Sequence, residues 1–458
     1  MVRRNLDPAD IAAMRKDVRA LMPGIIEDFR RLIAEPSVAF PGYPPEPVHQ
    51  AAAITADLLQ RSGLTGVRLL EIPGGYPAVY GEIPAMAGMP TVLLYAHYDV
   101  VPARKGDGWE TDPWVPVIRN GRLYGRGAAD NKSGIALIAA SLQALSQNFP
   151  VGIKVIVEGE EETEGHLGAF VAAHPDLFRC DVFIITDMGK VVAGEPVLST
   201  TLRGETSLIV TVRTLARAVH SGMFGGAAPD ALVALIRMLA TLHDKNGDVA
   251  VAGLASGTWT GADYPEDLYR RLSGLSDGVD TIGTGSVSSR LWSRPSITVI
   301  GIDAPSIRDA TNILIPQARA KISMRIAPGS DPVKEIGHLA DHLRAVAPWH
   351  VQVEISSAGG SAGFICPTGG PAFDLAGTVL ESVYGRPVLE AGAGGSIPLM
   401  NILEQAVPRA EFILWGCEDN EYSRIHGANE SVDLNELEKM IVAQALLLKE
   451  LGRVAGSS

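Results

Sequence analysis

Cysteine is scarce in this sequence. The 458 residues include three cysteines, Cys180, Cys366 and Cys417, which lie far apart and form no Cys-x-x-Cys pair. Their odd number and wide spacing exclude a disulfide framework and a thiolate zinc site. Because so few unpaired thiols fit a reducing compartment, we expect a cytoplasmic protein.

Basic residues and long hydrophobic runs are also in short supply. The chain has 39 Lys and Arg against 52 Asp and Glu, which gives a net charge of −13. Because nucleic acids and anionic membranes are bound through clustered cations, we expect neither as a partner. No apolar run approaches the roughly 18 residues that a membrane-spanning helix needs. No apolar stretch follows the arginines of residues 1–8, so we expect no secretory signal there.

Hydrophobic residues, in contrast, make up 46% of the chain, which is enough for a large packed core. The length predicts two or three domains of roughly 100–200 residues each. In the first part, short apolar runs at 91–95, 153–157 and 182–185 alternate with helices, including an apolar one at 133–147. This pattern predicts an α/β domain with a mostly parallel sheet flanked by helices.

The pattern changes near residue 203. Alternating strands and two amphipathic helices follow, which predicts an inserted α+β domain with two helices on one antiparallel sheet. Residues 246–290 are rich in Gly, Ser, Thr and Asp, and we expect a partly irregular insertion there. The α/β pattern then returns. We therefore predict a main domain formed by residues 1–203 and 367–458, and an inserted domain formed by residues 204–366.

Acidic residues and a histidine follow the three apolar strands of the main domain. The first strand runs into His97 and Asp99, the second into residues 158–162, which read Glu-Gly-Glu-Glu-Glu, and the third into Asp187. In open α/β sheets, ligands bind at the carboxyl ends of the strands. We therefore expect these side chains to meet in one crevice.

His97 and Asp99 are two residues apart, so on an extended segment their side chains point the same way. Asp99 could then accept a proton from one imidazole nitrogen while the other nitrogen binds a metal. A strand-end histidine that only hydrogen-bonds its neighbour is the alternative. Asp130, which precedes the apolar helix, could likewise serve only as its N-cap.

Together these clusters, with a late histidine at His426, supply two imidazoles and several carboxylates. Oxygen and nitrogen ligands without thiolates suit zinc, and also manganese or cobalt. One carboxylate can bridge two ions about 3.5–4 Å apart. Within the Glu triplet, one acid could bind metal while another, free of metal, titrates as a general base.

The sequence resembles the M20 metallopeptidases, the group that contains carnosinase-like dipeptidases, glutamate carboxypeptidase, aminoacylase and succinyl-diaminopimelate desuccinylase. The resemblance covers nearly the whole chain. Its motifs occur in the family's order, at residues 95–102, 125–134, 220–226, 311–316, 395–398 and the strand that ends at Arg325. The resemblance implies that the main domain is catalytic and that the inserted domain is a lid that also forms a homodimer.

The resemblance further implies a site for two divalent metal ions, with zinc as the first choice and manganese or cobalt as alternatives. One ion would be held by His97, Asp130 and Asp187. The other would be held by Asp130, Glu162 and His426, so that Asp130 bridges the two ions. The Asp130–Asn131 peptide would be cis, as is typical of the family.

The remaining roles also come from the resemblance. Glu161 would be the general base, and Asp99 would orient His97. His220 would stabilise the oxyanion and reach the active site of the partner subunit in the homodimer. The substrate carboxylate and neighbouring polar groups would be held by Asn312, Arg325, Gly395 and Ser396.

The stretch that begins with residues 158–162, which we call the acidic turn, departs from the family pattern. The family has Glu-Gly-x-Glu-Glu followed by a small residue, Gly and Ser, whereas residues 163–166 here read Thr-Glu-Gly-His. Anchoring on residues 158–159 sets the base at Glu161 and the ligand at Glu162. A slip by one residue, to Glu160 and Glu161, stays an alternative. We expect His166, an extra metal-capable side chain, at the surface.

These features predict a di-metal hydrolase that cleaves the amide bond of a short peptide with a free C-terminal carboxylate. A dipeptidase or carboxypeptidase is the first choice. An N-acyl-amino-acid deacylase of the deacetylase or desuccinylase type, acting on an N-acyl amino acid, is the alternative. A metal-free binding protein on the same fold is the non-enzyme alternative, against which the intact ligand set argues.

Overall fold

The computed structural model describes residues 6–163 and 165–456. Glu164, which belongs to the departure from the family pattern, lies outside the described residues. The chain divides into two compact units. The first unit comprises Met1–Thr200, Cys366–Ala391 and Leu399–Ser458, and the second comprises Thr201–Ile365 and Gly392–Pro398.

A six-stranded sheet forms the centre of the first unit. In spatial order its strands are Thr65–Leu70, Ala78–Ile83, Gly152–Glu158, Thr91–His97, Val182–Ile185 and Glu411–Leu414. The first two pairings are antiparallel and the other three are parallel. The central strand Thr91–His97 is buried at six of its seven positions, as expected for a parallel strand covered by helices on both faces. The predicted mostly parallel α/β fold is confirmed.

Helices cover this sheet. They are Pro8–Ala34, Glu46–Arg61, Lys132–Ala144, Leu167–Ala173, Pro175–Phe178, Pro371–Tyr384, Leu399–Ala406 and Leu434–Ala455. Lys132–Ala144 packs against both terminal helices and is buried on all sides, which explains why its sequence is apolar around the whole circumference. Short strands complete the unit: Val117–Arg119, Arg122–Tyr124 and Ser431–Asp433 form one sheet, and Gly189–Lys190 pairs in parallel with Glu418–Asp419.

The second unit contains a four-stranded antiparallel sheet, in the order Ser296–Asp303, Gln317–Ile326, Gly204–Arg213 and Gln352–Ser361. The helices Ala231–Leu239 and Pro332–Ala345 pack on it. Its other elements are Val219–His220, Ser221–Phe224, Glu266–Ser273, Val287–Trp292, Ile307–Asp309, Ile313–Leu314 and Pro348–His350. The strands Val197–Leu202, Phe364–Ile365 and Leu389–Ala393 form a further small sheet.

Residues 246–290, which we expected to be partly irregular, include the helix Glu266–Ser273. One feature of the fold differs from the sequence expectation. Residues 392–398, which we predicted to belong to the main domain, group with the second unit. Arg203 Nε donates to the Gly394 carbonyl over 3.4 Å, and Gly392 lies so close to Trp292 that a side chain would overlap with it. Among the described residues, the helices are too short or too polar to cross a membrane.

Candidate active site

The strand Thr91–His97 ends in a buried histidine whose ring lies among carboxyl groups. His97 Nε2 lies 3.0 Å from Asp130 Oδ1 and 3.7 Å from Asp187 Oδ1. Its Nδ1 lies 3.1 Å from the Asp99 carbonyl oxygen and 3.4 Å from Asp99 Oδ1. Asp99 therefore orients the ring partly through its backbone, and Nε2 faces the acids.

Asp130 lies between two histidines. One carboxylate oxygen contacts His97, and the other lies 3.1 Å from His426 Nε2. His426 Nε2 also lies 3.0 Å from Glu162 Oε2. Ligand atoms of His97, Asp130 and Glu162 all lie within 4.8 Å of one another, as do those of Asp130, Asp187 and Glu418. This arrangement, with one oxygen of Asp130 facing each ring, suits a carboxylate shared by two cations.

Three glutamates of the acidic turn, Glu158, Glu160 and Glu161, have different environments. Glu158 accepts a hydrogen bond from the Tyr95 hydroxyl over 2.7 Å. Glu160 Oε2 lies 2.8 Å from His166 Nδ1, outside the group around Asp130. Glu161 is partly exposed, and among the described residues nothing donates a hydrogen bond to its carboxylate.

Asp99 also holds the acidic turn in place. Its two carboxylate oxygens accept hydrogen bonds from the backbone N–H groups of Glu161 and Glu162, each over 3.0 Å. The sequence prediction gave Asp99 the single task of orienting His97. In the structure this carboxylate connects the histidine ring to the two glutamates, so it positions three candidate residues at once.

Glu430, which sequence reasoning missed, fixes the loop that carries Asp130. Its carboxylate accepts hydrogen bonds from the backbone N–H groups of Gly127, Ala129 and Asp130 over 3.1, 2.8 and 3.1 Å. It also pairs with Arg126 Nη1 over 2.5 Å. The Asp130–Asn131 peptide is cis, as the resemblance implied.

Arg126 connects this loop to the one that carries His426. Its Nη2 donates to the carbonyl oxygens of His426 and Gly427, both over 3.2 Å. The buried ion pair of Arg126 with Glu430 therefore joins the two loops that approach each other at Asp130. A buried pair of this kind is costly to break, because the remaining charge would be left uncompensated.

The carboxylates around His97 and His426 favour the protonated form of both histidines. Burial on its own lowers the pKa of His97, but the charge of Asp187 and the hydrogen bond to Asp130 outweigh it and raise the pKa well above its usual value. Hydrogen bonds to Asp130 and Glu162 raise the pKa of His426 to about 10. Because histidine binds metals as the neutral ring, a bound cation would release these protons.

The carboxyl groups of the site are also strongly perturbed. Burial raises the pKa of Glu161 well above its usual range, and burial together with the charge of Asp130 raises that of Glu162 to about 7. Burial raises the pKa of Asp187 too. Glu162 Oε1 and Glu418 Oε1 are buried and have no hydrogen-bond partner among the described residues. The site has more buried carboxylates than its positively charged side chains can compensate, so divalent metal ions fit it.

The predicted substrate-binding residues lie in the second unit. Arg325 Nη1 lies 3.4 Å from Ser396 Oγ and 2.9 Å from Glu205 Oε2, and Gly395 beside Ser396 is exposed. Asn312 is exposed, and its carbonyl accepts the N–H of Ser221 over 2.9 Å. The second unit therefore brings Arg325 and Ser396 together.

His220 is the N-cap residue of the short helix Ser221–Phe224. Its Nδ1 accepts a hydrogen bond from the N–H of Gly222 over 3.1 Å, which fixes the ring. The histidine is exposed. It pairs in the backbone with Ile313, the residue after Asn312.

Arg203 is a buried cation that sequence reasoning missed. It donates to Ser296 Oγ over 3.1 Å and to backbone carbonyls, and no carboxylate among the described residues pairs with it. Burial, and less strongly the charge of Arg325, lowers the pKa of Arg203 to about 10. Arg203 also borders a cavity of about 680 Å³ in the second unit. This uncompensated charge beside Arg325 makes that part of the second unit attractive to anions.

Comparison with known proteins finds a matching family profile and similar sequences. The profile of the group described as "Peptidase family M20/M25/M40" matches residues 93–450. The chain is 39% identical over 383 residues to the cysteinylglycine-S-conjugate dipeptidase of Corynebacterium striatum, covering 82% of this chain and 84% of that protein. It is 27% identical over 404 residues to the beta-Ala-His dipeptidase of Homo sapiens, covering 81% and 79%.

Solved structures share the fold. The crystal structure of human carnosine dipeptidase 1 gives a TM-score of 0.83 at 23% identity, covering 98% of this chain and 100% of that one. The dipeptidase Dug1p from Saccharomyces cerevisiae also gives a TM-score of 0.83, at 21% identity, covering 97% and 98%. The fold of the chain is thus of a known type.

Proposed function

Because the chain belongs to peptidase family M20/M25/M40 and is a metal-dependent peptidase, we propose that it is a di-metal dipeptidase. It hydrolyses the amide bond of a short peptide with a free C-terminal carboxylate. The observation that carries this proposal is the placement of Asp130, which offers one oxygen to the group with His97 and the other to His426. The names of the relatives support a dipeptide as substrate.

In this proposal one divalent ion is held by His97, Asp130 and Asp187, and the second by Asp130, Glu162 and His426. Zinc is the first choice, and manganese or cobalt would suit the same ligands. Ions bound there would supply Lewis-acid chemistry: they would make a substrate carbonyl more electrophilic and lower the pKa of water toward 7.

Glu161 acts as the general base. It takes a proton from the attacking water and passes it to the leaving amine. The residue is partly exposed and its carboxylate accepts no hydrogen bond from the described residues, so the carboxylate has acceptor capacity left for a water molecule. Asp99 positions it through the backbone of the acidic turn.

His220 stabilises the oxyanion in this proposal. It does so in the partner subunit of a homodimer, and its exposure in this chain supports that role. The substrate carboxylate and neighbouring polar groups are held by Arg325, Asn312, Gly395 and Ser396. The main unit is the catalytic domain and the second unit is the lid and dimerisation domain; the cytoplasmic location stays a prediction.

Removal of metal tests the proposed function. We expect treatment with 1,10-phenanthroline or EDTA to abolish nearly all hydrolysis of dipeptides, and zinc, manganese or cobalt to restore it. The assay should compare dipeptides such as Cys-Gly and β-Ala-His with N-acetyl and N-succinyl amino acids, measured as released amino acid. Faster release from the acyl amino acids would favour the deacylase. Undiminished dipeptide hydrolysis by protein shown to be metal-free would contradict the proposal.

Replacement of Arg325 should weaken recognition of the substrate carboxylate. Hydrogen bonds to a charged group contribute about 1.5–3 kcal/mol, so we expect Arg325→Met to lower kcat/KM for dipeptides by about 10- to 100-fold, chiefly through KM. A C-terminally amidated dipeptide should be a poor substrate for the wild type and should lose little further in the variant.

Arg319→Met is a matched control for this experiment. Arg319 lies on the same strand as Arg325 and faces the same side of the sheet, but it pairs with the exposed Asp303 over 3.3 Å. Its replacement should leave kcat/KM unchanged. Equal losses for the free and the amidated dipeptide in Arg325→Met would show that Arg325 does not read the carboxylate.

A further inference from the structure

We propose that Glu418 is a fourth ligand of the ion held by His97, Asp130 and Asp187. The inference rests on the proposed di-metal site and extends it. It makes the two metal positions chemically unequal, because this position would offer one imidazole and three carboxylates whereas the other offers one imidazole and two. Neither the spacing nor the resemblance had assigned Glu418 a role.

A short parallel pairing, separate from the six-stranded sheet, brings Glu418 to the site. Glu418–Asp419 pairs with Gly189–Lys190, with Glu418 opposite Gly189. Gly189 is two residues after Asp187, so the pairing sets Glu418 beside that acid. Carboxylate oxygens of Asp130, Asp187 and Glu418 all lie within 4.8 Å of one another.

The hydrogen bonds of Glu418 give an independent reason to expect a cation there. Glu418 is 6% exposed, and its Oε1 is buried without a hydrogen-bond partner among the described residues. Its neighbour Asp419 is satisfied, because Arg122 and Ser423 donate to it over 2.8 and 3.2 Å. A buried, unsatisfied carboxylate next to two other acids is costly unless a cation compensates it.

A third carboxylate changes which metal this position prefers. Imidazole suits zinc, whereas carboxylate oxygens suit harder ions such as manganese. The position formed by His97, Asp130, Asp187 and Glu418 would therefore offer more oxygen ligands than the second position. We infer that Glu418 raises the affinity of this position for Mn²⁺ more than its affinity for Zn²⁺.

Titration of the metal-free protein with Mn²⁺ alone and with Zn²⁺ alone tests this inference. By calorimetry, we expect the wild type to bind two ions. We expect Glu418→Gln to bind one of its two Mn²⁺ ions at least about 10- to 100-fold more weakly, because loss of a ligand should cost at least as much affinity as loss of a residue that only supports a ligand. The loss for Zn²⁺ should be smaller. In protein loaded with Co²⁺, the visible absorption spectrum should change, because the variant has one ligand fewer.

Glu160→Gln is the matched control, since Glu160 is an acid of the same region that pairs with His166 instead of facing Asp130. Both its Mn²⁺ affinities and its Co²⁺ spectrum should match wild type. Glu418→Asp, which keeps the charge but shortens the side chain, covers the case in which Glu418→Gln fails to fold. It should bind Mn²⁺ more weakly than wild type.

Two results would overturn the inference, and a third would overturn the di-metal site on which it rests. Wild-type Mn²⁺ affinity and an unchanged Co²⁺ spectrum in folded Glu418→Gln would show that Glu418 does not bind the ion. Wild-type Mn²⁺ affinity in Glu418→Asp would count against it in the same way. Failure of the wild type to bind two ions would instead refute the di-metal site itself, so the two failures can be told apart.

Discussion

The Glu161→Ala variant should keep both metal ions while its turnover of dipeptides falls by about 10²- to 10⁴-fold, the usual contribution of a general base. Glu161 lies beside the group around Asp130, yet no described residue donates a hydrogen bond to its carboxylate and it is partly exposed. Its removal deletes the proton acceptor and leaves His97, Asp130 and Glu162 in place. Metal content measured by elemental analysis and single-turnover kinetics would separate the two effects.

The neighbouring glutamate provides the control that distinguishes the two possible registers. Glu160 is paired with His166, so Glu160→Ala should retain nearly full turnover. If the base and the ligand were instead Glu160 and Glu161, then Glu160→Ala would lose turnover and Glu161→Ala would lose metal. Full turnover in Glu161→Ala would remove Glu161 as the base.

The acids at the strand ends could be predicted because the information is local. The strands before His97, residues 158–162 and Asp187 are short apolar runs, and parallel strands deliver their carboxyl ends to one edge of the sheet. The structure does bring His97, Asp187 and the Glu turn to that edge. Asp130 was harder, since its sequence context also permits a helix cap, and its role as a ligand shared by two ions came only from the resemblance.

Glu418 and Glu430 could not be found in this way. Glu430 acts on a loop about three hundred residues earlier in the chain, and nothing in its own neighbourhood reveals that contact. Glu418 belongs to a two-residue strand, which is too short for any periodic pattern. Both acids depend on long-range pairing, which a single sequence does not record.

The edge of the central sheet was missed for a different reason. Thr65–Leu70 is an edge strand with most of its side chains exposed, so it lacks the apolar run by which the central strands were recognised. The sequence likewise did not predict that residues 392–398, the loop that contains Gly394, belong to the second unit. That loop is joined to Arg203 through a backbone carbonyl, an acceptor that every residue carries, so the sequence holds no signal for it.

Loss of Asp130 should have the largest effect of all, because this residue is the one ligand that the two proposed metal positions share. Its carboxylate contacts both His97 and His426. We expect Asp130→Ala to lose stoichiometric binding of both ions. Without them the pKa of water would stay far above 7, so activity should fall by more than the roughly 10⁴-fold upper bound for loss of a base.

Thermal unfolding separates this loss of metal from a loss of fold. Zinc at about 100 times its Kd should stabilise the wild type by about 2.7 kcal/mol per site, whereas Asp130→Ala should unfold at the same temperature with or without zinc. Asp176→Ala, which removes an exposed acid paired with Arg179, should respond to zinc like the wild type. Zinc-dependent stabilisation of Asp130→Ala equal to that of the wild type would mean that the two positions do not depend on a shared carboxylate.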